Sequence, residues 1–154
     1  MVIIEKNLVH IFNLTDMKII HTLETSSISI GNLVISSSSE NENILCYSPY
    51  SDEGLIKVYD LIYLYFKFTI RAHKSQVGRL AINKKGDMVA SCSEKGTIIR
   101  IFSTSTGEKL FTYKRGMMPT LIFNMNFNMQ SDKIIVTSEN GTIHIFNLTK
   151  KYSI

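Results

Sequence analysis

Apolar residues along this chain gather in short runs, cut apart by small polar clusters. The runs predict strands at 2–4, 8–13 and 18–23, then at 32–36, 43–48, 55–60 and 65–71. A third group follows at 77–83, 88–93, 97–103 and 108–115, and a last one at 121–128, 133–138 and 142–148. Turn chemistry sets the cuts: Lys84-Lys85-Gly86-Asp87, Glu94-Lys95-Gly96, Ser131-Asp132 and Glu139-Asn140-Gly141 are polar and flexible. The runs read as nearly continuous apolar stretches rather than as a strict apolar–polar alternation. Sheets packed on both faces give that pattern. The chain is rich in branched and hydroxyl residues, which favour strands over helices.

The groups repeat. The run His10 to Thr15 recurs letter for letter as His144 to Thr149, and Ile56-Lys57-Val58-Tyr59 and Ile99-Arg100-Ile101-Phe102 are looser copies. Aligned on the aromatic, Phe12, Tyr59, Phe102 and Phe146 are 47, 43 and 44 residues apart, near the roughly 40–45 residues of a four-stranded propeller blade. The expected fold is therefore all-β: one WD40-like β-propeller segment over 1–154, with a partial blade at 1–24, complete blades at 31–71 and 77–116, and a partial blade at 121–148. The Trp-Asp pair of WD repeats is absent, and Tyr59-Asp60 stands nearest to it. Two whole and two partial blades form an open arc, whose end faces are expected to leave apolar side chains uncovered.

Charge changes the picture more than composition does. The net charge is +4, yet between Arg71 and Arg115 ten Lys/Arg stand against three Asp/Glu, which points to an anionic partner meeting the middle of the chain. Cys46 and Cys92 lie inside expected strands, without neighbours at metal-ligand spacing, and read as buried free thiols in a reducing compartment. No secretory signal is visible at the start of the chain, where Glu5 and Lys6 interrupt the apolar run. The longest uninterrupted apolar run, Leu61 to Phe66, is far below the roughly 20 residues of a membrane helix; a soluble chain with peripheral membrane contact is expected. There is no Gly-x-Ser-x-Gly, no phosphate-binding glycine loop and no metal-spaced His/Cys/Asp set, so neither an enzyme nor a cofactor nor a metal is expected. Nucleic acid is not the expected anion either, because no aromatic stacking platform is interleaved with the cations.

The chemistry concentrates at 91–116. Ser91-Cys92-Ser93-Glu94-Lys95-Gly96-Thr97 leads through Arg100 to Tyr113-Lys114-Arg115-Gly116, so three antiparallel strands gather hydroxyls and cations that suit a phosphate ester. Lys114 and Arg115 are adjacent near a strand end, and successive side chains point to opposite faces. One cation then serves the cleft before its blade and the other the cleft after it. Ser91 and Ser93 share one strand face, as do Thr142 and His144 on the next blade. Arg100, three residues beyond Thr97, faces away from it in a regular strand, which puts Thr97 at the turn edge.

These residues resemble the signature of the PROPPINs, seven-bladed propellers that act in autophagy and bind phosphatidylinositol 3-phosphate and phosphatidylinositol 3,5-bisphosphate. The family hallmark Phe-Arg-Arg-Gly stands here as Tyr113-Lys114-Arg115-Gly116, at the expected distance from the upstream Ser-rich run. The resemblance covers about half of the family propeller and implies two headgroup sites. The first would use His73, Ser91, Ser93, Gly96, Thr97, Arg100 and Lys114; the second would use Arg115, Gly116, Ser138, Thr142 and His144. His73 also sits where WD blades often place a structural histidine, and both roles stay open; His10, with no basic motif before it, is expected to be structural. The resemblance further implies a cytoplasmic protein peripherally associated with preautophagosomal, endosomal or vacuolar membranes. Autophagy proteins would be its partners, and another chain is a candidate source of the missing blades. The alternative is a WD-repeat protein-interaction scaffold without working lipid sites. The family's membrane-inserting loop lies between the third and fourth strands of its sixth blade, where this chain ends; Lys150, Lys151 and Tyr152 are expected to touch headgroups without inserting.

Overall fold

The computed structural model describes residues 1–36 and 43–149; Lys150, Lys151 and Tyr152, expected to meet headgroups, lie outside the described residues. Fourteen strands make up four antiparallel sheets. Sheet 1 holds β1 (Val2–Glu5), β2 (Leu8–Phe12) and β3 (Ile19–Glu24); sheet 2 holds β4 (Ile28–Ile35), β5 (Ile44–Pro49), β6 (Leu55–Asp60) and β7 (Tyr65–Arg71). Sheet 3 holds β8 (Val77–Ile82), β9 (Met88–Ser93), β10 (Ile98–Ser103) and β11 (Lys109–Lys114); sheet 4 holds β12 (Ile122–Phe127), β13 (Lys133–Ser138) and β14 (Ile143–Asn147). Each sheet is a meander in chain order. The repeat aromatics Phe12, Tyr59, Phe102 and Phe146 all fall on strands β2, β6, β10 and β14, the equivalent position in each sheet. β4 begins earlier than the expected 32–36, because a register shift between Ile28 and Leu33 lets Ile28 pair with Pro49. Of the aromatic run Tyr63 to Phe68, Tyr63 and Leu64 fall in the turn before β7, and the rest lies in that outer strand.

Three hydrophobic cores join neighbouring sheets. Val9 and Ile11 of sheet 1 meet Leu45, Tyr47 and Tyr59 of sheet 2. Ile44, Ile56, Val58 and Ile70 of sheet 2 meet Leu80, Val89 and Phe102 of sheet 3. Ala90, Ile99 and Ile101 of sheet 3 meet Met125, Ile134 and Val136 of sheet 4. Every residue of β5 is buried, as the unbroken apolar run predicts for a strand covered on both faces. Alternation along β10 sends Phe102 to one core and Ile99 and Ile101 to the other. Full burial of each such side chain is worth about 1.5–3 kcal/mol. Among the described residues no core joins sheet 1 to sheet 4, so the arc is open. Ile19 and Ile20 at one end, and Ile143 and Ile145 at the other, stay exposed.

The turns repeat too. Asn83 Oδ1 accepts from the amides of Gly86 and Met88, and its Nδ2 donates to Asp87 at 2.5 Å. Asn128 does the same in sheet 4, accepting from Asp132 and Lys133 and donating to Asp132 at 2.6 Å. Asp60, the nearest match to the WD aspartate, is buried and accepts from the amides of Ile62 and Tyr63, closing the turn that leads to β7.

Candidate functional site

The first cleft opens between sheets 2 and 3. In β10, Arg100 pairs with Ser91 of β9 and with Thr112 of β11, and Ile98 pairs with Lys114. Ile98, Arg100 and Phe102 share a face, and Phe102 packs in the core toward sheet 2, so Arg100, Ser91 and Lys114 all belong to this side. His73, on the connection between β7 and β8, completes the group. Arg100 Nη1 donates to the Ala72 carbonyl at 2.7 Å and to His73 Nδ1 at 3.0 Å. A guanidinium carries only donors, so Nδ1 is the unprotonated nitrogen, and Nε2–H donates to Ser91 Oγ at 2.9 Å. The Ser91 hydroxyl proton then remains available to an acceptor. Burial, and next the adjacent Arg100 charge, push the His73 imidazole down to about 4, so it is neutral near pH 7. A cavity of about 280 Å³ lies over this network, lined by Arg71, Lys74, Arg100 and Lys109 with His73, Ala72 and Phe102. Four cations and no acid line it.

The residues of the second expected site lie where sheet 4 meets sheet 3. Tyr113 pairs with Ile99, which faces sheet 4, and it stacks on Phe146 with centroids 4.9 Å apart while its hydroxyl donates to the Asn147 carbonyl at 2.6 Å. Phe146 in turn stacks parallel to His144. From His144 runs a chain of polar groups: His144 Nε2 lies 3.1 Å from Thr142 Oγ1, Thr142 lies 2.9 Å from Ser138 Oγ, and Asn140 Oδ1 accepts from both hydroxyls at 2.7 Å. Ser138, Thr142 and His144 are thus brought together, and Asn140 joins them.

Arg115 behaves unlike its neighbour. Lys114 is exposed, whereas Arg115 is buried, its Nε donating to the Gly96 carbonyl at 2.9 Å and its Nη2 to the Met118 carbonyl at 2.5 Å. The Arg115 amide donates to Thr97 O, which places Thr97 just before β10, at the turn edge. Gly96 has φ of 62°, and a Cβ there would collide with the Thr120 carbonyl oxygen, so only glycine lets the connection to sheet 4 pass this closely. Ser93 does not join His73 and Arg100; it lines a separate hollow of about 170 Å³ with Asn32, Arg79 and Glu94. No atom lies within 4 Å of a Cβ on Gly116.

Arg71, Lys74, Lys109 and Asn140 are the lining residues that motif reading overlooks. The excess of cations between Arg71 and Arg115 is a signal for the first three, but only the pairing of strands shows which cations share a cleft. Asn140 stands in a turn that the sequence marks, without any sign that its amide bridges two hydroxyls.

Comparison with known proteins follows the same lines. The family model described as PROPPIN matches residues 1–153. Autophagy-related protein 18 of Dictyostelium discoideum is 35% identical over 147 residues, covering 96% of this chain and 39% of the relative. Autophagy-related protein 18 of Mycosarcoma maydis is 33% identical, covering 97% of this chain and 37% of the relative. Among solved structures, the complex of KlAtg21 with the coiled coil of AgAtg16 superposes with a TM-score of 0.80 at 29% identity, over 95% of this chain and 49% of that one. Hsv2 of Kluyveromyces lactis superposes with a TM-score of 0.67 at 24% identity, over 95% of this chain and 57% of that one, and shares the fold. The chain thus spans well under half the length of the curated relatives named here.

Proposed function

The chain belongs to the PROPPIN family, and on that premise we propose that it binds phosphoinositide headgroups, phosphatidylinositol 3-phosphate or the 3,5-bisphosphate, without catalysing a reaction. One headgroup is held by His73, Ser91, Gly96, Thr97, Arg100 and Lys114, with Ser93 set apart in its own hollow, and a second by Arg115, Gly116, Ser138, Thr142 and His144. The observation that carries this reading is the split of Lys114 and Arg115 onto the two sides of sheet 3: Lys114 shares the side of Ser91 and Arg100, while Arg115 turns toward the connection into sheet 4. In the first cleft Arg100 is held by Ala72 and His73 through one nitrogen, leaving the rest of the fork for a phosphate. Its volume is near the lower end of the about 300–1,000 Å³ usual for small-ligand clefts, in keeping with a compact headgroup. Gly96 and Thr97 serve through the turn they shape.

The autophagy-related names of the relatives support recruitment to autophagic, endosomal or vacuolar membranes from the cytoplasm. The solved complex of KlAtg21 with a coiled coil favours a second, compatible role as a protein-interaction scaffold, with an autophagy protein as partner. Titration with water-soluble inositol 1,3-bisphosphate tests the lipid reading. Two binding events are expected; Lys114→Ala weakens one and Thr142→Val the other, while Lys67→Ala, on sheet 2, changes neither. Equal losses from all three variants would reduce the sites to general basicity.

A further inference from the structure

The connection from β11 to β12 carries Gly116-Met117-Met118-Pro119. Among the described residues Met117 is the most exposed large apolar side chain, at 81%, and Met118 follows, level with Tyr63, at 76%. This loop is built. Arg115 Nη2 holds the Met118 carbonyl at 2.5 Å, the Gly116 amide donates to Thr97 O at 3.4 Å, and the Thr120 amide donates to Lys95 O at 3.1 Å. Both ends are tied to the turn between β9 and β10, and the two thioether side chains are held out in water. Isolated exposed apolar residues are ordinary, but adjacent methionines on a tethered tip need a reason.

Position supplies one. The loop leaves the end of β11, the strand of sheet 3 that divides the two clefts, and Lys114 and Arg115 precede it directly. Ser138, Thr142 and the start of β14 lie at the same rim, because the loop leads into β12, whose Ile122 pairs with Ser138. A headgroup held in either cleft is covalently tied to its acyl chains, so the rim that takes it must face the bilayer. The loop between the clefts is then pressed against the interface. Lys95 and Lys114 flank it with positive charge, and Glu94 and Glu139 stand in the adjoining turns. Cations beside an apolar tip match an anionic leaflet, with charge at the headgroups and thioethers in the acyl boundary.

The geometry points to Met117 and Met118 as a wedge that enters the bilayer when the flanking clefts hold lipid headgroups. This inference rests on the headgroup reading above and deepens it. The test compares the whole chain with the double variant Met117→Ser, Met118→Ser in two assays: binding of water-soluble inositol 1,3-bisphosphate, and partition onto phosphatidylcholine vesicles doped with phosphatidylinositol 3-phosphate. The variant is expected to keep headgroup affinity and lose roughly tenfold in vesicle partition, the loss persisting at high salt, where charge contacts are screened. A fluorophore on Met117→Cys, which labels selectively because Cys46 and Cys92 are buried, is expected to be quenched by brominated acyl chains. Wild-type protein that ignores the soluble headgroup overturns the headgroup reading and the wedge with it. Wild-type protein that takes the headgroup while the variant partitions equally well, or a fluorophore the acyl bromines leave bright, overturns the wedge alone.

Discussion

The two clefts on either side of sheet 3 use one inventory of groups in opposite ways. In the cleft toward sheet 2, the imidazole is buried and the cation reaches the cavity: Arg100 caps the Ala72 carbonyl, fixes the His73 tautomer and still lines open space. In the cleft toward sheet 4, the cation is buried and the polar groups are open: Arg115 braces the Gly96 and Met118 carbonyls, while Thr142 is exposed and His144 half-buried. Sheet 2 precedes sheet 3 in the chain, and its Gly54 carbonyl takes the amides of Ala72 and His73. On the other side, the connection to sheet 4 folds back over Arg115, and the Gly96 and Met118 carbonyls take two of its five donors. Adjacent cations in one motif can therefore differ in setting, Lys114 exposed and Arg115 buried against two carbonyls. What separates them is strand parity and the path of the chain just beyond.

The largest expected effect tests the buried side. Arg100→Ala leaves the Ala72 carbonyl and His73 Nδ1 without their donor; the loss of stability is about 2–3 kcal/mol. His144→Ala removes only a partner of a hydroxyl that water can reach, and costs less than about 1 kcal/mol. Urea unfolding of the two variants measures the gap, and equal costs would erase the distinction between the clefts.

Acid should separate them next. The His73 imidazole is held down to about 4 by burial and then by Arg100, against about 6.5 in the unfolded chain. The unfolded state takes up the proton first. His73 therefore contributes stability that is complete above about pH 6.5 and is lost as pH falls toward about 4, by up to about 1.4 kcal/mol per pH unit. A His73→Gln variant is expected to show a flatter decline across that window. An unchanged slope would mean that His73 opens to water before it titrates.

Smaller effects sharpen the ligand side. Lys114 is exposed and offers a point charge; Lys114→Arg restores a fork and is expected to tighten inositol 1,3-bisphosphate binding in the first cleft by about 1 kcal/mol or less. The second cleft should not respond, so a gain there would show that the clefts share the cation. Least of all, Gly116→Ala meets no atom within 4 Å and should change stability by no more than about 0.5 kcal/mol. Calorimetry with the same headgroup then decides whether a ligand needs that space: a binding loss without a stability loss marks close approach of a phosphate.

Much of this molecule is legible without coordinates. The 47-, 43- and 44-residue spacing of Phe12, Tyr59, Phe102 and Phe146 determines four repeated sheets, because burial on both faces demands apolar runs of strand length at a constant interval. The alternation of side chains along a strand puts Lys114 and Arg115 on opposite sides of sheet 3, since that parity is local and belongs to the backbone. The place of Thr97 at a turn edge follows from the same counting.

Other features exist only once the chain is folded. That Arg115 is a brace depends on Gly96 and Met118 carbonyls brought beside it by a turn and a connection that sequence places without directing. That His73 is neutral depends on how tightly sheet 2 covers it and on Arg100, 27 residues away in the chain. The company of Arg71, Lys74 and Lys109 in one cavity comes from two segments, the end of β7 with its connection and the start of β11, meeting between two sheets. Periodicity and parity are properties of neighbouring residues and can be read in order. Burial, desolvation and the sharing of hydrogen-bond donors depend on which distant segments meet, and only packing decides that.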